Sequence, residues 1–154
     1  MTSLLALWAA TFGYCVVSGL VPFVNAELYL LAASATVPRE LALSLVLAGT
    51  LGQMTAKAMM YGAGRGLVRI PGERMKRWVT EAEAWASKRP SMEGGLIFFS
   101  AASGIPPFYF VSIACGIVRV KIVQFLVLGF AGRFIRFGIV VLFPQIAKAV
   151  FHRF

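Results

Sequence analysis

The sequence predicts an all-α integral membrane protein made of two inverted repeats. Each repeat is a re-entrant helical hairpin followed by a transmembrane helix, and a cytoplasmic amphipathic helix joins them. Three observations carry this. Of the 154 residues 59% are hydrophobic and only 14% charged, against ~25% charge in an ordinary soluble domain. The apolar run from Gly94 to Val118 is cut by Ser103-Gly-Ile-Pro-Pro-Phe108 into arms of about ten residues, roughly 15 Å of helix, too short to cross a ~30 Å hydrocarbon core. A similar interruption recurs in the N-terminal third. The length fits a single membrane domain over 1–154 with no separate soluble unit.

The second break is the more pronounced. Two adjacent prolines, Pro106 and Pro107, remove two backbone donors, and Pro107 pushes Pro106 out of the α region. Broken backbone at membrane depth survives only where protein buries it or where it lines a wet cavity. Taken alone, the break fits either a re-entrant hairpin that helps build a site or one kinked transmembrane helix.

The first run, Leu4 to Leu20, carries no charge. It lacks the basic start and small-residue cleavage site of a signal peptide, so Met1 onward is expected to be mature chain. It stops at Val21-Pro22-Phe23-Val24-Asn25-Ala26-Glu27, where a proline, an amide and an acid intervene. Leu28 to Ala35 is apolar again for about two turns, until Val37-Pro38-Arg39-Glu40. This third also reads as arm, break, arm, turn, although the residues alone leave open whether the first run spans or re-enters.

Leu41 to Gly64 is long enough to span, with Lys57 as its only charge. Ala48, Gly49, Gly52 and Ala56 recur at helical spacing, a small-residue face for close helix contact. Arg65 to Glu93 is polar, with seven bases against four acids. Within it Met75, Trp78, Val79, Ala82, Trp85 and Ala86 share one face of an amphipathic helix over Glu73 to Lys88. That face suits the lipid interface or the protein's own helices. A second span, Ile122 to Phe143, carries Arg133 and Arg136 and is expected to stop at Pro144, leaving a short basic tail over 144–154.

The formal charge of +9 would suggest nucleic acid in a soluble protein. Here the bases cluster beside apolar segments, as anchors for anionic lipid do, and no nucleic-acid partner is expected. Their concentration in 65–93, with Arg119 and Lys121 after the second break, places that middle segment on the cytoplasmic side. The two spans then run in opposite directions.

The halves also echo one another. Ser18-Gly19 then Pro22-Phe23 matches Ser103-Gly104 then Pro107-Phe108, and Leu47-Ala-Gly-Thr-Leu-Gly-Gln53 matches Val127-Leu-Gly-Phe-Ala-Gly-Arg133. Repeat one covers about 4–64, the connector 65–93 and repeat two 94–143. Oppositely directed spans after matching breaks are the pattern of inverted-repeat transporters, whose broken helices meet near the midplane. The echo favours hairpins over kinks.

Taken in order, Pro22, Asn25-Ala-Glu27, Gly49-x-x-Gly52, Tyr61-Gly-x-Gly-Arg65, Gly104-Ile-Pro106-Pro107, Ala114-Cys-Gly116, Lys121 and Gly129-x-x-Gly132-Arg133 resemble the DedA/VTT superfamily, the SNARE-associated Golgi protein family. The similarity covers about Ser18 to Val141 and is greatest to the short bacterial branch. It implies facing re-entrant hairpins, a bacterial inner-membrane location, and translocation of undecaprenyl phosphate or phospholipid, often tied to the proton motive force. By the resemblance Pro22 and Glu27 are the first hairpin's proline and acid, and Pro106 and Pro107 the second's prolines. Larger members carry arginine around the second proline, where this chain has Ser103, Gly104 and Phe108.

Few residues are candidates for chemistry. Glu27 is the only acid inside an apolar region, so it is expected to be protonated, paired or wetted. A carboxyl able to take up a proton there suits a proton-coupling role; the alternative is an interfacial glutamate at a helix start. Arg133 lies near the middle of the second span, where facing lipid would be costly. Arg136, three residues on, shares its face. Together they would clamp a phosphate, or Arg133 pairs with Glu27 structurally. Lys57 either snorkels to the near end of its span or joins the site. Asn25 and Gln53 are placed to satisfy broken-helix backbone or a headgroup.

Buried thiols acting as small hydrophobes account for Cys15 and Cys115, and His152 is too isolated for a metal site. No cofactor or metal is expected. The chain has no Asp, no His beside a Ser or Cys, no paired carboxylates and no GxxxxGK[ST] loop, so an enzyme is not expected. The expectation is a lipid transporter or scramblase, with anionic lipid as partner and homo-oligomerisation left open. The alternative is a non-transporting membrane-assembly or structural factor.

Overall fold

The computed structural model describes residues 2–21, 24–67, 88 and 90–151. Their regular structure is helical throughout. The helices are α1 (Thr2–Leu20), α2 (Ala26–Ala35), α3 (Arg39–Gly62, widening into a π turn over Ala63–Leu67), α4 (Pro90–Ser103), α5 (Phe108–Ile117) and α6 (Ile122–Phe151). Two segments are long and apolar enough to cross a bilayer, Arg39–Gly66 and Ile122–Phe143. The expected amphipathic helix over 73–88, apart from Lys88, and the hairpin proline Pro22 lie outside the described residues.

The first break reverses the chain. Asn25 caps α2, its Oδ1 accepting from Glu27 N at 2.9 Å and Leu28 N at 3.2 Å, which satisfies two donors that a helix start leaves free. Tyr14, six residues before the end of α1, stacks on Tyr29, the fourth residue of α2, with ring centroids 4.1 Å apart. So α2 doubles back beside α1. After the turn at Pro38, α3 runs alongside α1 in the same direction. Gly52 packs on Phe12 and Cys15, and Gly19 on Ala56. A methyl group at Gly52 would overlap the Phe12 carbonyl, so the small-residue face does allow the close contact its spacing predicted.

The second break also lies between two helices, α4 and α5. α4 ends at the left-handed Gly104 (φ 81°), and Ser100 Oγ donates to the Pro106 carbonyl at 2.5 Å. The Ile105–Pro106 peptide is cis. α5 closes with Val120 N donating to Cys115 O, Arg119 N to Gly116 O, and Arg119 left-handed at φ 59°. α6 then follows α4 in the same direction: Gly94 meets Gln124 and Leu128, and Gly132 meets Phe98 and Ala101. The paired glycines divide their work alike in both halves. Gly49 faces Leu30 of α2 as Gly129 faces Phe108 of α5, while Gly52 and Gly132 each face the long arm before the break.

Helices α3 and α6 pack in opposite directions. Ala42 and Val46, early in α3, cluster with Phe137 and Val141, late in α6, whereas Met54 meets Gly129 near the start of α6. A second core stacks Tyr61 and Phe108 on Phe125, with centroids 5.2 and 5.8 Å apart. Leu5, Leu28, Phe99, Phe110, Val123, Val127 and Phe143 stand exposed, an outward apolar surface that suits lipid rather than water.

Two expected boundaries move. α4 begins at Pro90 and has 14 residues, longer than the arm read from the apolar run alone, because proline is well tolerated in a first helical turn. α6 continues through Pro144 to Phe151. A proline deletes one backbone bond and bends a helix without necessarily ending it.

Candidate functional site: a cationic cavity at the two breaks

Both breaks open onto one cavity of about 380 Å³, walled by residues of α1, α2, α3, α5 and α6 and of both breaks. Three cations, Lys57, Arg133 and Arg136, and one carboxylate, Glu27, line it. Two positive charges are left in excess. Water-poor surroundings raise the cost of such an excess, and a polar ligand or water must offset it.

Arg136 is the bridging cation. Its Nε donates to Glu27 Oε1 at 2.5 Å, and its Nη1 reaches the Ala102 carbonyl at 3.4 Å. Glu27 is thus paired, but with Arg136 rather than with Arg133. Arg133 instead lies over the Phe108 ring, its Cζ 5.2 Å from the centroid. Its Nε is shielded and has no hydrogen-bond partner among the described residues.

Lys57 does not snorkel outward. Its side chain turns inward, only 4% exposed, and Nζ donates to the Gly19 carbonyl at 2.6 Å while lying 5.3 Å from the Tyr109 ring centroid. The last carbonyls of a helix have no partner within it and form its negative end. Lys57 satisfies one of those of α1, as Arg136 does for α4. Position along the span could not reveal this, because the carbonyl it serves belongs to another helix.

Gln53 Nε2 donates to Ser18 Oγ at 2.7 Å, and Ser18 Oγ donates to the Cys15 carbonyl. Gln53 therefore braces α1 against α3, and Asn25 lends its side-chain oxygen to the α2 cap; both also line the cavity. Pro107 stands at the rim and leads into α5, whereas Pro106 receives the Ser100 bond outside the lining. Sequence reasoning missed Phe108 and Tyr109, the two rings under the cations. Their one visible signal is position, directly after the break.

Comparison of the chain with family models, curated proteins and solved structures finds no match in any of the three. The class that fold and site define is an all-helical protein with two helices able to cross a membrane and a cation-rich cavity at its helix breaks.

Proposed function

We propose that this protein is a membrane lipid transporter or scramblase that moves an anionic lipid, undecaprenyl phosphate or a phospholipid, across the bilayer. One observation carries the reading: Arg133 lines the cavity with no ion-pair partner among the described residues, its guanidinium lying over the Phe108 ring. Arginine offers planar, forked donors to phosphate, and an unpaired guanidinium charge in a span is costly unless a ligand or water offsets it.

The remaining elements follow from that reading. The two arm–break–arm–span units form inverted repeats whose hairpins re-enter the membrane, and the resemblance to the DedA/VTT superfamily agrees with this arrangement. Residues 65–93 lie on the cytoplasmic side of a bacterial inner membrane. Glu27 is the sole carboxylate in the cavity lining and is the group through which protons would couple to movement.

Purified protein in liposomes, assayed with fluorescent phospholipid and with a polyprenyl phosphate, tests the function. Movement of at least one of them above protein-free controls is expected. A folded sample that moves neither supports the other reading, a membrane-assembly factor in which Glu27 and Arg136 simply tie the two halves together.

A further inference from the structure

The two breaks are latched across the cavity by the same construction, with one chemical difference. Arg136, in the second span, reaches the carbonyl of Ala102, the penultimate residue of α4, and also Glu27, the second residue of α2. Lys57, in the first span, reaches the carbonyl of Gly19, the penultimate residue of α1, and also Tyr109, the second residue of α5. Each cation therefore ties the end of its own long arm to the start of the opposite short arm. On one side the tie is an ion pair at 2.5 Å, and on the other a cation over a ring at 5.3 Å.

We propose that Tyr109 is the specificity-determining residue of the cavity. It holds Lys57 in place by a ring face and leaves the ammonium charge available to an anion beside Arg133. The inference rests on the anionic-headgroup reading above and deepens it. A ring quadrupole attracts a cation without neutralising it. A carboxylate at the same place, as at Glu27, uses up the charge and competes with any incoming anion. Lys57 and Arg133 are then the two recruiting cations, with Phe108 and Tyr109, neighbours in sequence, as the rings beneath them. Arg136 is paired with Glu27 and acts as the latch.

The substitution Tyr109→Glu would make the two latches alike. Tyr109→Gln supplies a polar side chain of similar length to glutamate without the charge. The probe is dihexanoyl phosphatidic acid, titrated into detergent-purified protein by calorimetry, with dihexanoyl phosphatidylcholine as the zwitterionic control. Wild type is expected to bind the phosphatidic acid in preference to the control. Tyr109→Gln, which loses the ring's hold on Lys57, should weaken binding by about threefold, while Tyr109→Glu should weaken it by about tenfold or more beyond Tyr109→Gln, the scale of one charge-assisted contact.

Tyr109→Glu binding as tightly as Tyr109→Gln overturns the inference and leaves the anionic-headgroup reading standing. Wild type that fails to prefer phosphatidic acid overturns that reading and the inference with it. If Tyr109→Glu does not purify as a folded protein, Glu27→Gln tests the same rule from the other latch. Freeing Arg136 should tighten binding by about tenfold, and an unchanged affinity would contradict the idea that a facing carboxylate sets how many cations are available.

Discussion

Arg136 and Glu27, 109 residues apart in the chain, form an ion pair at 2.5 Å that joins α6 to the start of α2. Both side chains keep partial access to the cavity, at 25% and 31% exposure. The pair is therefore screened less than a surface bridge, and removing one partner leaves a poorly solvated charge behind.

Removing either partner should destabilise the fold, but unequally. Glu27→Gln keeps a carbonyl acceptor for Arg136 and should cost roughly 1 kcal/mol, whereas Arg136→Met strands a carboxylate and a helix-end carbonyl and should cost roughly 2–3 kcal/mol. Thermal unfolding of the two variants in one detergent gives the order. Equal losses would mean that neither the stranded carboxylate nor the lost Ala102 contact adds a cost.

The glycines of α1 and α3 should separate by their surroundings. A methyl group at Gly52 would run into the backbone of Phe12, while one at Gly13 meets nothing within 4 Å. Gly52→Ala is expected to cost roughly 1–3 kcal/mol through forced separation of the helices. Gly13→Ala should be neutral or stabilise by up to about 1 kcal/mol, because alanine orders a helix more cheaply. Unfolding midpoints falling in the reverse order would refute the parallel packing of these helices.

Arg119 holds a left-handed conformation at the end of α5 that glycine adopts freely. Arg119→Gly should therefore raise stability by roughly 0.5–1 kcal/mol. A clear loss on the same melting assay would show that the arginine side chain contributes more than its backbone strain costs.

Much of the fold was legible because its signals are local. Prolines in apolar runs mark the breaks, and glycines at helical spacing mark where the helices touch. Long apolar runs with few charges mark the two helices able to span, and Asn25 before Ala-Glu27 is an ordinary helix start. The pairings inside the site were not legible. Whether Glu27 meets Arg133 or Arg136 depends on how α2 sits against α6, and one helical turn decides it. Lys57 looked like a snorkelling residue because its partner carbonyl, at Gly19, carries no side-chain signal at all. The extent of α6 was misjudged at Pro144, since one missing donor does not fix where a long apolar helix ends.

The central claim is that Arg133 is held for a ligand rather than for the fold. Its Nε has no partner among the described residues, so replacing it should relieve the protein while disabling the site. Arg133→Met, reconstituted in liposomes and melted in parallel in detergent, tests both halves at once. The account predicts an unchanged or higher unfolding midpoint, together with lipid movement slowed by about tenfold or more. A variant that moves lipid at the wild-type rate, or one that loses transport only because it no longer folds, would contradict it.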